Sequence, residues 1–306
     1  MIPVEALMKR HTIIMTTMLA LSVGFTGAGI AAENTAGAAA EKSFLWRATG
    51  TDGATVYLLG SVHALPRSAY PLAPAIEQAY AQSEVVVFEV DLDALESAGS
   101  RMMAAGALKP GQKLDEVLSP ETRQQLGAYL DEAGLSIGAF SAMRPWMVAL
   151  SLATLELMKA GYSPSQGLDV HLASRAAQDG KQIRALETAD FQISLFTDMN
   201  ARESESFLCY TLRDLRTIVP QLEEITAAWK HGDVETVSSL LGEAFEDEPE
   251  LFARLVTERN ESWLPTIRKM LDSPEVGLVV VGALHLVGDV GLVDRLREEG
   301  YEVEQL

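Results

Sequence analysis

The feature that most constrains this chain is a pair of matching segments near its two ends. Residues 56–63 (VYLLGSVH) and 278–285 (LVVVGALH) each set an apolar run of strand length directly before Gly-x-x-His. Residues 85–90 (VVVFEV) form a third such run. Strands without polar alternation are buried on both faces, which requires a sheet with helices packed on each side. The same order of strand, turn, helix and strand follows each Gly-x-x-His, so the two ends read as an internal repeat. The expected fold class is therefore α/β. A central mixed sheet is built from two β–GxxH–α–β repeats, their apolar strands side by side, with a helical block inserted between them.

Around this frame, Phe44–Ala48 and Thr55–Leu59 read as strands joined by a turn over 50–53, and Pro71–Ala81 as a helix. Residues 92–271 form the expected helical cover. Breaks are expected at 109–111, at Ser119-Pro120 and at Arg144-Pro145, and a short strand at Lys181–Glu187. A helix over Val290–Glu299 and a strand over Tyr301–Glu304 close the chain. Residues 44–306 are read as a single domain.

The first residues carry a different signal. Lys9 and Arg10 precede an apolar stretch from Ile13 to Ile30, and small residues follow at Ala31, Ala32 and Ala36–Ala40. Basic start, apolar middle and small-residue end are the parts of a secretory signal. Residues 1–32 are expected to be a signal peptide and 33–43 a flexible leader, which places the mature protein in the periplasm or outside the cell. No stable membrane embedding is expected after cleavage. The formal net charge is −19. A surface this acidic repels phosphate backbones, so nucleic acid is excluded as a partner. The single cysteine, Cys209, forms no internal disulfide and reads as a small buried hydrophobe.

The chemistry gathers at the repeat. A buried strand brings the chain to the sheet edge where ligand crevices of open α/β sheets form. Glycine allows a sharp turn there, and the histidine three residues on projects into the crevice. His63 and His285 are thus expected in one shared site. Glu89, at the end of the third apolar run, must meet a cation, a donor or a metal, because a bare buried carboxylate is costly. Two imidazoles and a carboxylate suit a divalent ion with an open position for water. Asp169 is a further candidate ligand, with helix capping as its plain alternative. Arg144, Arg259 and Glu187 are candidates for the site or for ordinary salt bridges. Asp91 and Asp93 read as solvated or capping residues. His11 belongs to the signal, His231 ends a helix in solvent, and His171 faces away from Asp169 on its helix.

Gly60–His63, Gly282–His285 and Glu89 resemble the marks of the TraB/GumN family, which includes the Tiki-type proteases. Arg144-Pro145-Trp146, Gly167-Leu168-Asp169, Leu186-Glu187-Thr188 with Gln192, and Glu258-Arg259-Asn260 with Trp263 resemble its weaker motifs. The resemblance spans residues 43–306. It implies a fold related to erythromycin esterases and ChaN-type haem-binding proteins, and a metal-dependent peptidase as the function of its animal members. The expected function is an exported hydrolase acting on a peptide or small-molecule substrate. His63, Glu89 and His285, with Asp169, would hold Mn, Co or Zn, and Arg259 or Arg144 would stabilise a developing oxyanion. A metal-free esterase-like hydrolase and a haem- or iron-binding protein are the alternatives. Alanine at His63, Glu89 or His285 is expected to remove activity at little cost in stability.

Overall fold

The computed structural model describes residues 42–50, 53–243 and 249–306, without the side chains of 92–98, 241 and 243. The expected signal peptide, leader residues 33–41, His11 and the side chain of Asp93 lie outside the described residues. Ser43, assigned to the leader by its composition, is instead buried, and its N–H donates to Leu306 O.

Six strands form one mixed sheet: β1 Leu45–Thr49, β2 Thr55–Ser61, β3 Val85–Val90, β4 Gln182–Glu187, β5 Gly277–Gly282 and β6 Glu302–Gln305. Their order is β4-β3-β5-β2-β1-β6. The pairs β4–β3, β3–β5 and β5–β2 are parallel, and β1 is antiparallel to both β2 and β6. Every residue of β3 and β5 is buried. Each fully buried Val or Leu stabilises the fold by roughly 1.5–3 kcal/mol, against about 1–2 kcal/mol to order its backbone. That margin favours these central strands. Close packing leaves no room for side chains at two glycines: a Cβ on Gly60 would lie 2.4 Å from Phe44 Cδ1, and one on Gly277 2.3 Å from Met270 Cε.

The two Gly-x-x-His strands are direct neighbours, offset by one residue: Gly60 pairs with Val281 and Ser61 with Gly282. The chain leaves β2 through the helix Pro74–Gln82 toward β3, and leaves β5 through the helix Leu292–Glu298 toward β6. Those crossovers run in opposite directions along the sheet. In open α/β sheets, ligand crevices form where neighbouring strands part in this way, at their carboxyl ends.

Helices Leu92–Ala105, Pro120–Ala133, Pro145–Lys159, Leu168–Gln178, Ala189–Thr197, Ala201–Asp214, Ile218–Lys230, Val234–Glu243 and Glu258–Leu271 make up the intervening block. Local chemistry sets their limits. Ser119 Oγ accepts from Thr122 N before Pro120, Gly134 closes that helix in the left-handed region at φ 68°, and Asn200 and Glu203 form a capping box. The block is not purely a cover, because β4 threads out of it to take the sheet edge beside β3. One turn of π-helix, Ala253–Thr257, precedes Glu258–Leu271. The expected helix starts at 71 and 290 fall at Pro74 and Leu292.

Candidate functional site

Glu89, Gly282 and His63 meet at the carboxyl ends of β3, β5 and β2. A Cβ built on Gly282 would lie 3.3 Å from Glu89 Oε1, 3.4 Å from His63 Nε2 and 3.6 Å from His285 Cδ2. Gly282 is thus the floor of the crevice, and the two histidines and the glutamate ring one point above it. All three are buried.

His63 is set from behind. Its Nδ1 lies 3.0 Å from Asp169 Oδ2. A carboxylate accepts, so Nδ1 carries the proton and Nε2 faces the crevice, where it has no hydrogen-bond partner among the described residues. Burial works against a charged imidazole, but the Asp169 carboxylate outweighs it and raises the His63 pKa above its ordinary value. Asp169 reaches this position because Gly167 has no side chain: a Cβ there would stand 2.5 Å from His63 O. Asp169 is the second residue of its helix, and the N-cap position belongs to Gly167.

His285 has the opposite character. Asn260 Nδ2 donates to His285 O (3.1 Å) and Val290 O (2.9 Å), which turns Asn260 Oδ1 toward His285 Nδ1 at 2.7 Å. Nδ1 therefore donates, and Nε2 accepts from Arg259 Nη1 at 3.1 Å. The ring packs 4.5 Å from Trp263. Burial and the neighbouring Arg259 push its pKa down to about 3, so it is a neutral imidazole.

Arg259 joins two carboxylates. Its Nη2 donates to Glu89 Oε2 (2.5 Å) and Glu187 Oε1 (2.6 Å), its Nε to Glu187 Oε2 (3.2 Å), and its Nη1 to Leu255 O (3.2 Å) as well as to His285. All five N–H bonds of the guanidinium are committed. Glu89 Oε1 also accepts from Gly282 N at 2.7 Å. Burial alone would raise the Glu89 pKa, but Arg259, the two imidazoles and the Gly282 N–H hold it well below the usual carboxylate range. Burial raises Glu187, with Arg259 opposing. Gln192 Nε2 bridges the pair, donating to Glu187 Oε1 (2.8 Å) and Glu89 Oε2 (3.3 Å), and Trp263 Nε1 donates to Glu187 Oε2 (3.1 Å). The π-turn just before Arg259 is a feature often found at functional sites.

Other candidates stand elsewhere. Arg144 donates to Thr197 O and Met199 O, fastening the carboxyl end of the helix Ala189–Thr197, and no hydrogen bond links it to His63, Glu89 or His285. His171 packs 4.6 Å from the Tyr70 ring. His231 and Asp91 are exposed, at a helix end and before a helix start. Cys209 is half-buried rather than part of an apolar core, and its Sγ donates to Gln125 Oε1 at 3.3 Å.

A metal held jointly by His63, Glu89, His285 and Asp169 does not fit this arrangement. Asp169 Oδ2 is bonded to His63 Nδ1, on the side of the ring away from Nε2, so one ion cannot take both His63 Nε2 and Asp169. The lone pair of His285 Nε2 already accepts from Arg259, and both Glu89 oxygens are hydrogen-bonded. Glu89 Oε1 and His285 Nε2 are 4.0 Å apart. Among the described residues, no group of three His, Cys, Asp or Glu side chains stands ready to hold an ion.

The crevice thus unites His63, Glu89 and His285 with Arg259, and puts Asp169 behind His63. Asn260, Gln192, Trp263 and Gly167 support it, and all four lie in the weaker motifs. Ser61, an unassigned position of Gly-x-x-His, escaped the sequence reading altogether. The chain is 27% identical to the uncharacterized protein YbaP of Escherichia coli K12, over 79% of this chain and 87% of that protein. It is 24% identical to Metalloprotease TIKI1 of Danio rerio and 25% identical to human Metalloprotease TIKI1, over 86% of this chain in each case. Those alignments span 63% and 61% of the TIKI1 proteins. No solved structure matches. The model of the TraB/PrgY/gumN family matches residues 44–305, and the chain belongs to that family.

Proposed function

We propose that this protein is a hydrolase that attacks an amide or ester carbonyl with water activated at His63. One observation carries the proposal: a buried imidazole with Nδ1–H fixed on Asp169 and Nε2 left without a partner above Gly282. In this reading Nε2 removes a proton from water as the oxygen adds to the carbonyl carbon. Asp169 stabilises the imidazolium, which then returns the proton to the departing amine or alkoxide. Glu89 and Arg259 do not exchange protons in this scheme. Glu89 holds Gly282 N–H, and Arg259 keeps His285 neutral. The relatives named metalloproteases support a peptide as the substrate.

That same name supports a second, metal-dependent version using Mn, Co or Zn, for which Arg259 would have to leave His285 and Glu89. The protein purified under chelation decides between the two, assayed on fluorogenic peptides and chromogenic esters before and after adding Mn²⁺, Co²⁺ or Zn²⁺. Activity in chelator that vanishes in His63→Ala supports the first version, and strict dependence on added metal supports the second. Inactivity under every condition, or haem absorbance in the purified protein, would overturn both. We also propose export to the periplasm or beyond, on the order of charges and apolar residues in 1–40. A native protein that still begins at Met1 by mass spectrometry refutes it.

A further inference from the structure

Ser61 ends β2, two residues before His63, and takes no part in the scheme above. It is 3% exposed, and its hydroxyl has no hydrogen-bond partner among the described residues. Buried hydroxyls are nearly always paired, so an unpaired one calls for an explanation.

Register shows where this side chain points. Ser61 pairs with Gly282 across the parallel β2–β5 junction. Residues paired across neighbouring strands carry their side chains on the same face of the sheet, and successive residues alternate. A side chain on Gly282 would enter the crevice, toward His63 Nε2 and Glu89 Oε1. Ser61 therefore projects to the same face, about 4.8 Å away by strand spacing. Gly60 points to the other face, where its Cβ would strike Phe44.

The donors of the site complete the case. Arg259 has committed its five N–H bonds. Gln192 Nε2 donates to two carboxylates, Asn260 Nδ2 to two carbonyls, Trp263 Nε1 to Glu187, and Gly282 N to Glu89. Asp169 and Glu89 only accept. Of the polar hydrogens on the side chains named around the crevice, the Ser61 O–H is the one not given to another protein group.

We propose that Ser61 Oγ donates a hydrogen bond to the substrate carbonyl oxygen and stabilises it as the oxygen becomes negative. Ser61 then takes the oxyanion role that sequence reasoning gave to Arg259 or Arg144. The assignment rests on the hydrolase reading, and the test below separates the two. Ser61→Ala and Ser61→Thr are compared with the parent in kcat and KM on a fluorogenic peptide, in melting temperature, and in calorimetric affinity for an N-acetylated tri-alanine aldehyde, whose hydrate resembles the tetrahedral species. Loss of one oxyanion donor lowers kcat by about 10²–10³. Ser61→Ala is expected to show that loss with KM nearly constant, aldehyde affinity at least about tenfold weaker on the same grounds, and a melting temperature equal to or above the parent's. Ser61→Thr, which keeps the hydroxyl, should recover most of the rate. Unchanged kcat and aldehyde affinity in Ser61→Ala would overturn the assignment. So would a kcat loss that merely follows a lowered melting temperature, or a parent that does not bind the aldehyde. A parent that hydrolyses nothing yet binds the aldehyde through Ser61 would refute the hydrolase reading and keep the Ser61 contact.

Discussion

Removing Arg259 should cost this protein a large part of its stability, and acid should return some of it. Arg259 is 4% exposed, and its guanidinium lies between Glu89 and Glu187, which it meets at 2.5 and 2.6 Å. Taking away one partner of a buried pair leaves a bare charge and costs about 3–5 kcal/mol. Arg259→Ala strips two carboxylates at once, and burial already raises the Glu187 pKa, so the single-pair figure is applied to the two together. At about 2–4 °C per kcal/mol for a domain near this size, the melting temperature should fall by roughly 6–20 °C. The pH dependence identifies the cause. In the parent, the Glu89 pKa lies below its ordinary 4.5, so its contribution is present above that value and fades as pH falls through the folded-state value. In Arg259→Ala, burial without a cation raises both carboxyls, so the penalty is full at neutral pH and shrinks as they take up protons. Melts followed by circular dichroism at several pH values should therefore show the gap narrowing toward acid. Adding Glu89→Gln and Glu187→Gln to Arg259→Ala should close most of it at neutral pH. A single variant melting within about 2 °C of the parent at neutral pH, far below the cost of a bare buried charge, would show that Arg259 does not neutralise these carboxylates. Glu89→Ala comes under the same logic. The sequence reading expected it to spare the fold, but Glu89 is half of this buried pair, and its loss should cost about 3–5 kcal/mol by the same measure.

Asp169→Asn removes the charge that raises His63, so the acid limb of the rate–pH profile should move to lower pH, with kcat reduced by about 10²-fold or more through loss of the base's support; an unmoved limb would mean that another group titrates. Gly282→Ala places a methyl group 3.3–3.6 Å from all three crevice residues at an unstrained φ of −51°, so hydrolysis should collapse while the melting temperature changes little. Full activity in that variant would place the reaction elsewhere. Asp214 is buried with an unpaired Oδ2, and burial pushes its pKa up to about 8 from 3.8. Its raised folded-state value costs stability increasingly as pH climbs from 3.8 toward 8. Asp214→Asn should thus melt above the parent at pH 8 and level with it near pH 4, and a lower melt at both values would show a needed charge.

Much of this arrangement was readable from periodicity. Residues 278–281 and 85–88 are apolar without interruption, and only a position buried on both faces tolerates that pattern. The pairing of β2 with β5 follows from the same property, since each run needs covered neighbours. Glycines before His63 and His285 were legible for a steric reason now visible at Gly60 and Gly282. What the sequence could not show is which hydrogen bond each polar atom makes. Asp169 reads equally as a cap, a ligand or a partner of His63, because the choice depends on Gly167 lying against His63 O across 104 positions of chain. Arg144 and Arg259 look alike in sequence, each beside a tryptophan-bearing motif. One fastens backbone carbonyls at a helix end and the other bridges two buried carboxylates, and only the packing of helices on the sheet distinguishes them. The one-residue offset between β2 and β5 was equally hidden, yet it is what sets Ser61 opposite Gly282.

Charge balance in the crevice leads to a last prediction. Glu89 and Glu187 flank one guanidinium, Asp169 stands behind His63, and His285 is neutral. A buried cluster with this surplus must gain positive charge or lose negative charge. Protonation is one answer: the Asp169 carboxylate raises the His63 pKa and burial raises that of Glu187. A divalent cation is another answer to the same imbalance, so its binding here must compete with those protons and release them. Titration of the chelated protein with Mn²⁺ in two buffers of different ionisation enthalpy measures that release directly. Below the raised His63 value, binding in the crevice should release protons in the parent, and less in His63→Ala. Binding with no proton release at that pH, or with release unaltered by His63→Ala, would place the ion outside the crevice and leave the His63–Asp169 pair as the source of the active water.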